Sequence, residues 1–537
     1  MKQNIGAENP HPPGESENQL VPGAATSAAL PAEGTPPEAE LVIDTPGGRY
    51  RANFDEQTPL SPLGPLVFFA QFLQASGQFE ALCKDAPLVY LSPNAPAPRD
   101  VLGTLVLGIL AGHWRYAHLS ALRFDTVAPE LLGLGGLVSE DSVRRGLRRV
   151  DQIGGRQWLT GHLLTSCWEF LTTPWILDID TTIKPIYGHQ EGAKVGYNPQ
   201  KPGRPSHALH TYWVAKLRLC LDVEVQPGNA SAAKYGLDGL WALLEKMPKE
   251  RRPHLVRGDC AYGHEGCLLG AEKLGQSYLF KLRCTAGVRA VIKVVEGTRA
   301  TCWVEAGQGW QGAEATVRLL GWTRERRVVV LRRRLAAPGS PKGRKSRARH
   351  PLSLLLHAGV EIASCEVLDY EYQILITNLT YNIETLAPMY RERGDAENPF
   401  DELKNQWGWG GFTTQRLAPG QHTARLSALI YNWWSLYNRL VEPGQHHEAI
   451  TSRPRLLGGV AKQTEHAGQR SLQVRLLHAD APDLKPRIIA VVHWLQDLLT
   501  SAEQLEVGAR WRRITARILE LNFPHLGPAP PILPLPA

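Results

Sequence analysis

Cysteine is scarce in this chain: eight residues in 537, scattered, with no C-x-x-C pair. Cys260 and Cys267 stand nearest to one another, and no second pair completes a zinc site. Reduced, buried thiols are the expectation, as in a cytoplasmic protein. Long apolar runs are missing too. The longest candidate, "DVLGTLVLGILAGHW", is too short to cross a bilayer, so no membrane partner is expected. The first residues lack a basic, apolar, small-residue signal pattern. No G-x-x-x-x-G-K-[ST] run occurs, which argues against ATP use. No internal repeat is visible. These absences point to a soluble intracellular protein.

Charge is present, and its distribution is informative. Lys and Arg number 59 against 52 Asp and Glu, for a net charge of +7, which is mild for a nucleic-acid binder taken globally. The clusters are denser: "SVRRGLRRV" (142–150), "RERRVVVLRRRL" (324–335) and "PKGRKSRAR" (341–349). Any one could be a solvated charge run, but three together favour a polyanion partner. In the first, Ser139 is a plausible N-cap, and Arg144, Arg145, Arg148 and Arg149 fall on one helical stripe. A helix entering a DNA groove has such a stripe, as do ordinary exposed helices.

At 537 residues the chain should hold two to four domains. Residues 1–44, rich in Pro, Gly, Ala and Ser, read as a disordered tail. Residues 45–168 show helical periodicity. From 169 to 285 a β-rich run, "PWILDIDTTIKPIYG", precedes two strands joined by a turn, and then helices and strands alternate. A mixed α/β sheet follows from that order. Residues 286–370, including "RAVIKVVEG", read as a β-rich insertion. Residues 371–445 return to strand and helix, and 446–537 read as a helical C-terminal region with a Pro-rich tail.

Within the second stretch of the α/β core, "MYRERGDAENPFDELK" sets Tyr390, Arg393, Glu397 and Lys404 at helical steps of three, four and seven. On an unbroken helix they would fall within roughly 60° of one face. Pro399 and Gly394 oppose an unbroken helix, and Asn398-Pro399 reads as a cap followed by Pro at a first helical position. A bend is expected. A carboxylate beside cations and a phenol suits a metal ion next to a phosphate, although an Arg–Glu pair on a solvated face is common. Partner acids should stand at strand ends. Asp180 closes the apolar run of "WILDIDTT", with Asp178 as its rival on the same strand face, and Asp259 follows the short strand of "PHLVRGDCAYG".

The Tyr-x2-Arg-x3-Glu-x6-Lys pattern resembles the YREK signature of DDE-type insertion-sequence transposases. "YRERGDAEN", "LDIDTT", "GYNPQKPGRPSH" and "VRGDCAYG" resemble one branch, the insertion-sequence family numbered thirteen-eighty. The resemblance spans roughly residues 50–445. It implies an RNase H-like mixed-sheet catalytic core, split into 169–285 and 371–445 by the β-rich insertion. A helical N-terminal DNA-binding region would precede it and a helical C-terminal region follow. It further implies that Asp180, Asp259 and Glu397 form a catalytic triad holding Mg2+ or Mn2+. Tyr390, Arg393 and Lys404 would grip phosphates of the transposon end.

Lys201 and Arg204 in the "KPGRPSH" loop, and Arg144 and Arg148 in the N-terminal helix, are further DNA-binding candidates. Trp407 and Trp409 could stack on an unpaired base, though packing is the commoner role. The implied function is metal-dependent DNA end cleavage and strand transfer, on terminal inverted repeats and target DNA, by a homodimer associated with the bacterial nucleoid. A domesticated DNA-binding regulator and a metal-dependent DNA nuclease are the alternatives.

Overall fold

The computed structural model describes residues 41–172, 174–199, 201–230, 232–335, 365–367, 370–501 and 506–524, with the side chains of 232–235, 365–367, 395–397 and 501 excluded. The basic run 341–349, most of the first tail and the Pro-rich tail beyond 524 lie outside those residues. Two units divide the chain, at Thr58 and Pro59. In the first, β1 (Leu41–Thr45) and β2 (Gly48–Ala52) form an antiparallel hairpin, so its first strand takes up the last residues of the stretch read as a disordered tail.

The second unit begins with β3 (Leu60–Ser61) and a series of helices through Cys167. A large sheet follows: β4 (Ile176–Pro185), β5 (Lys194–Val195), β6 (Pro205–Val214), β7 (Leu219–Pro227), β8 (Leu255–Gly258), β9 (Tyr278–Lys281), β10 (Val304–Glu305), β11 (Trp310–Val317), β12 (Arg326–Arg334), β13 (Cys365–Val367) and β14 (Tyr370–Thr377). Its neighbours run β10-β11-β12-β14-β9-β8-β4-β6, with β5 and β7 both on the outer side of β6. β4, β8 and β9 are mutually parallel, and the other pairings are antiparallel. The sheet is mixed, as its alternating sequence pattern implied.

The stretch read as a β-rich insertion differs in two ways. Its strands β11 and β12 continue the main sheet through β14. Its opening segment is a helix, Ala286–Gly297, capped by the Thr285 hydroxyl accepting from the Val288 N–H. Val288, Ile292 and Val295 recur at four and three and are all buried, so "RAVIKVVEG" follows the helical period; its β-branched residues suggested strand. The C-terminal region also departs from an all-helical reading. β15 (Gly459–His466) and β16 (Gln469–Leu476) form a hairpin that β3 extends.

The helix Leu417–Val441 is buried along nearly its whole length and packs against β7 and the helix Gln152–Cys167. It is enclosed on almost every side, so its buried polar residues need partners within the core. Its register on β7 is fixed by Asn432, whose side chain accepts from the Cys220 N–H (2.9 Å) and donates to the Cys220 carbonyl (2.8 Å). Trp407 and Trp409 are buried with it. Their indole N–H groups donate to Glu402 (3.0 Å) and the Ala424 carbonyl (2.9 Å), which leaves neither ring free to stack on a base.

The arginines of 324–335 are not a free polycation. Arg326 pairs with Glu265 (2.6 Å) and Glu272 (2.8 Å), Arg327 with Glu314, Arg332 with Glu296 and Arg333 with Glu371. The cluster is therefore weaker support for a polyanion partner than its sequence suggested, since most of its charge is met within the fold. Six cysteines carry free thiols, but Cys284 is disulfide-bonded, contrary to the all-reduced expectation. Among the described residues no helix is long and apolar enough to cross a membrane.

Candidate active site at the ends of two parallel strands

In the parallel ladder between β4 and β8, Ile179 pairs with Gly258. The next residue on each strand is an acid, Asp180 and Asp259. They leave the same edge of the sheet from neighbouring strands. Chain direction matters here: parallel strands bring equivalent ends together, so two acids 79 residues apart in sequence share one edge.

Asp180 is one-fifth exposed. Its carboxylate accepts from the Thr181 N–H (2.7 Å) and from Arg393 Nη2 (2.6 Å). Asp259 accepts from the Ala261 N–H at 2.9 Å, an Asx turn that opens the following loop. Asp178, the rival on the same face of β4, is sealed. Arg257 donates to both of its oxygens at 2.7 Å, and the two side chains are only 2–3% exposed. Asp178 is thereby committed to a buried ion pair, and Asp180 is the acid left at the rim.

The segment carrying the four-residue pattern folds back over this edge from β14. It is not one helix. The helix Ile383–Arg391 gives way to a 3-10 turn, Glu392–Ala396, and a second helix, Glu397–Asn405. The bend falls around Gly394, and the second helix begins before the Asn398-Pro399 cap read from the sequence. The second helix starts at Glu397, so Pro399 lies inside its first turn instead of at its first position; backbone N–H groups there have no intrahelical partner to lose. Arg257 also anchors the segment by donating to the Met389 carbonyl.

Tyr390 is mostly buried among Leu386, Ala387 and the strand residues beneath it. Burial raises its phenol pKa; Arg393 opposes the shift, while Asp259 and Asp180 add to it. For Arg393 burial acts to lower the guanidinium pKa, and the charges of Asp180, Tyr390 and Asp259 outweigh it, so the pKa is raised. Its Nε is buried without a hydrogen-bond partner. Lys404 is half-buried, which lowers its pKa against the pull of Asp401 and Asp180. Glu397 stands by its backbone at the head of the second helix, and its side chain lies outside the described residues.

One cation escaped the sequence pattern. Lys281 follows Phe280, which pairs with Gly258, so it stands beside Asp259 on β9. Burial lowers its pKa, and Cys260, Glu371 and Asp259 oppose that shift. The signal was a charge ending the apolar run "YLFK", but which acid it meets depends on sheet register.

The remaining DNA-binding candidates lie elsewhere. Lys201 and Arg204 gather around the exposed ring of Tyr187, at 5.0 and 4.8 Å from its centroid. Arg144 pairs with Glu140 (3.3 Å) and lies over Tyr116, and Arg148 is exposed on the same helix, Glu140–Arg149. That helix begins with Ser139 as its cap, as the sequence implied.

Two carboxylates at one edge are hard oxygen donors of the kind Mg2+ takes, and their mutual repulsion makes a cation between them favourable. Among the described residues no group of three or more His, Cys, Asp or Glu side chains able to hold a metal occurs, so this pair stands there without a third acid.

Residues 171–433 match a protein family described as the Transposase DDE domain. The match encloses Asp180, Asp259 and the whole 390–404 segment. No curated protein matches the chain. Among solved structures, the cryo-EM structure of the piggyBac transposase synaptic complex with hairpin DNA is similar at 11% identity. The alignment covers 87% of this chain and 88% of that one, with a TM-score of 0.33, a likeness too remote to carry an argument.

Proposed function

We propose that this protein is a DNA transposase that cuts the ends of its own insertion sequence and joins them to target DNA. The observation that carries this reading is the meeting at one sheet edge of Asp180, Asp259 and Arg393, from three separate parts of the chain. The match of 171–433 to the transposase domain supports it. The antiparallel β4-β6-β7 meander joined to parallel β8 and β9 supports an RNase H-like core.

Asp180 and Asp259, with Glu397 as third ligand, would hold Mg2+ or Mn2+. Bound there, the ions would activate the attacking oxygen and stabilise the leaving one. Arg393 donates one amino group to Asp180, and a guanidinium has five N–H donors, so others remain for a phosphate oxygen. Tyr390 and Lys404 border the same edge and would hold the strand in register for in-line attack. We assign DNA contacts outside the core to Lys201, Arg204, Arg144 and Arg148, and the helical region 45–168 to end recognition. Two protomers would act together in the cytoplasm, since two ends must be joined.

The test is incubation of the full chain with DNA bearing its terminal inverted repeats, a target plasmid and Mg2+. Joined products are expected. Cleavage without joining would make the protein a nuclease, and binding without either a regulator.

A further inference from the structure

The ladder between β4 and β8 stops at Ile179 and Gly258, one residue short of both acids. Backbone pairing alone therefore does not fix the separation of Asp180 and Asp259. Beneath them, on the opposite sheet face, runs a chain of three polar side chains, buried at both ends and part-buried at Thr181 between them. Tyr262 closes the loop after Asp259, its N–H donating to the Asp259 carbonyl at 3.2 Å. Its ring passes under Gly258, where a Cβ would come within 2.8 Å of the ring and 3.1 Å of Ile179. The phenol then meets the hydroxyl of Thr181, the residue after Asp180, at 3.2 Å. The Thr181 hydroxyl meets His210 Nδ1 at 2.9 Å, from the residue directly opposite on β6. Tyr262 is 2% exposed and His210 fully buried.

We infer that Tyr262, Thr181 and His210 are positioning residues that set the distance between the two acids and so the fit of the site to a divalent ion. The inference rests on the proposed function. Tyr262 ties the loop of Asp259 to β4, and His210 ties β4 to β6. Thr181 is the joint, since its N–H holds the Asp180 carboxylate at 2.7 Å while its hydroxyl holds the other two. With Tyr262 and His210 buried, water has limited access to these part-buried hydrogen bonds, so removing one hydroxyl frees the loop more than it exchanges partners. Outer residues that orient metal ligands typically change affinity ten- to a hundredfold when removed.

The experiment is Mn2+ titration of the full chain, followed by electron paramagnetic resonance, for wild type, Tyr262→Phe, Thr181→Val and Thr181→Ser. Melting temperature is read alongside. Tyr262→Phe keeps the ring and should weaken Mn2+ binding about tenfold. Thr181→Val should do at least as much, and Thr181→Ser, which restores the hydroxyl, should recover most of the loss. Equal Mn2+ affinity in Tyr262→Phe and wild type would overturn the inference alone. So would a drop in melting temperature with affinity intact, which marks a merely structural role. A wild-type chain that binds no Mn2+ would sink both the inference and the proposed function.

Discussion

Asp178 and Asp180 lie two residues apart on one strand, point to the same face, and are each met by an arginine. Their fates differ. Asp178 and Arg257 are sealed together, bidentate and almost without solvent, whereas Asp180 meets Arg393 through Nη2 at a partly open rim. A closed pair of charges is a structural element: its partners satisfy one another and nothing remains for a ligand. A pair at a partly open rim is one that a ligand from solvent can reach. The same chemistry yields floor in one case and candidate site in the other, and burial distinguishes them.

The contrast can be broken most sharply at the rim. Asp180→Asn and Asp259→Asn should each abolish cleavage and joining of terminal-repeat DNA, with melting temperature within a few degrees of wild type. A labelled-strand assay and calorimetry check the two halves of that statement. At the floor the pattern should invert. Asp178→Ala leaves the buried Arg257 with only the more distant Glu392 carboxylate, at 3.9 Å, and should cost roughly 3 kcal/mol in urea unfolding. Replacing both members by apolar residues of similar volume should recover much of that loss.

Arg393→Lys keeps the charge but removes the planar fork. It should weaken binding of the terminal DNA about tenfold or more in a gel-shift titration, with little change in stability.

Acid should act on the buried side first. Burial holds His210 and His422 at pKa values of about 4. Both are lowered from the unfolded value, so the unfolded chain takes up these protons first as pH falls. The stability they contribute is full above about 6.5 and is lost on the way down to about 4. Each should cost roughly 2 kcal/mol by pH 5, read as a shift in urea midpoint, and His422→Gln should remove one share. The smallest effect belongs to Arg148, exposed and far along its own helix. Arg148→Ala should lower the salt dependence of DNA binding by about one counterion without altering cleavage chemistry.

Much of the strand and helix pattern was legible because it is local. β4, β6, β7, β9, β12 and β14 announced themselves by apolar runs between turn residues, and the bend before Glu397 by Gly394, while Pro399 fell inside the helix it was expected to open. Local signals failed where two periods fit one segment. Val288, Ile292 and Val295 satisfy a helix although the run around them is rich in β-branched residues. Net charge also misled: the arginines of β12 look like a polycation until cross-strand and helix carboxylates are seen to meet them. Lys281 was invisible as a site residue, since nothing in "YLFKLRC" says which acid stands across the ladder.

The sequence by itself determined where the acids and donors stand along the chain, because residue identity and short-range periodicity are written there directly. Only the tertiary structure decided which acid stays open. Arg257 reaches Asp178 across 79 residues through the parallel register of β8 on β4, and a shift of one residue would turn its side chain to the other face. Register is a property of two strands together, set by the whole buried face of the sheet, and no single stretch of sequence contains it.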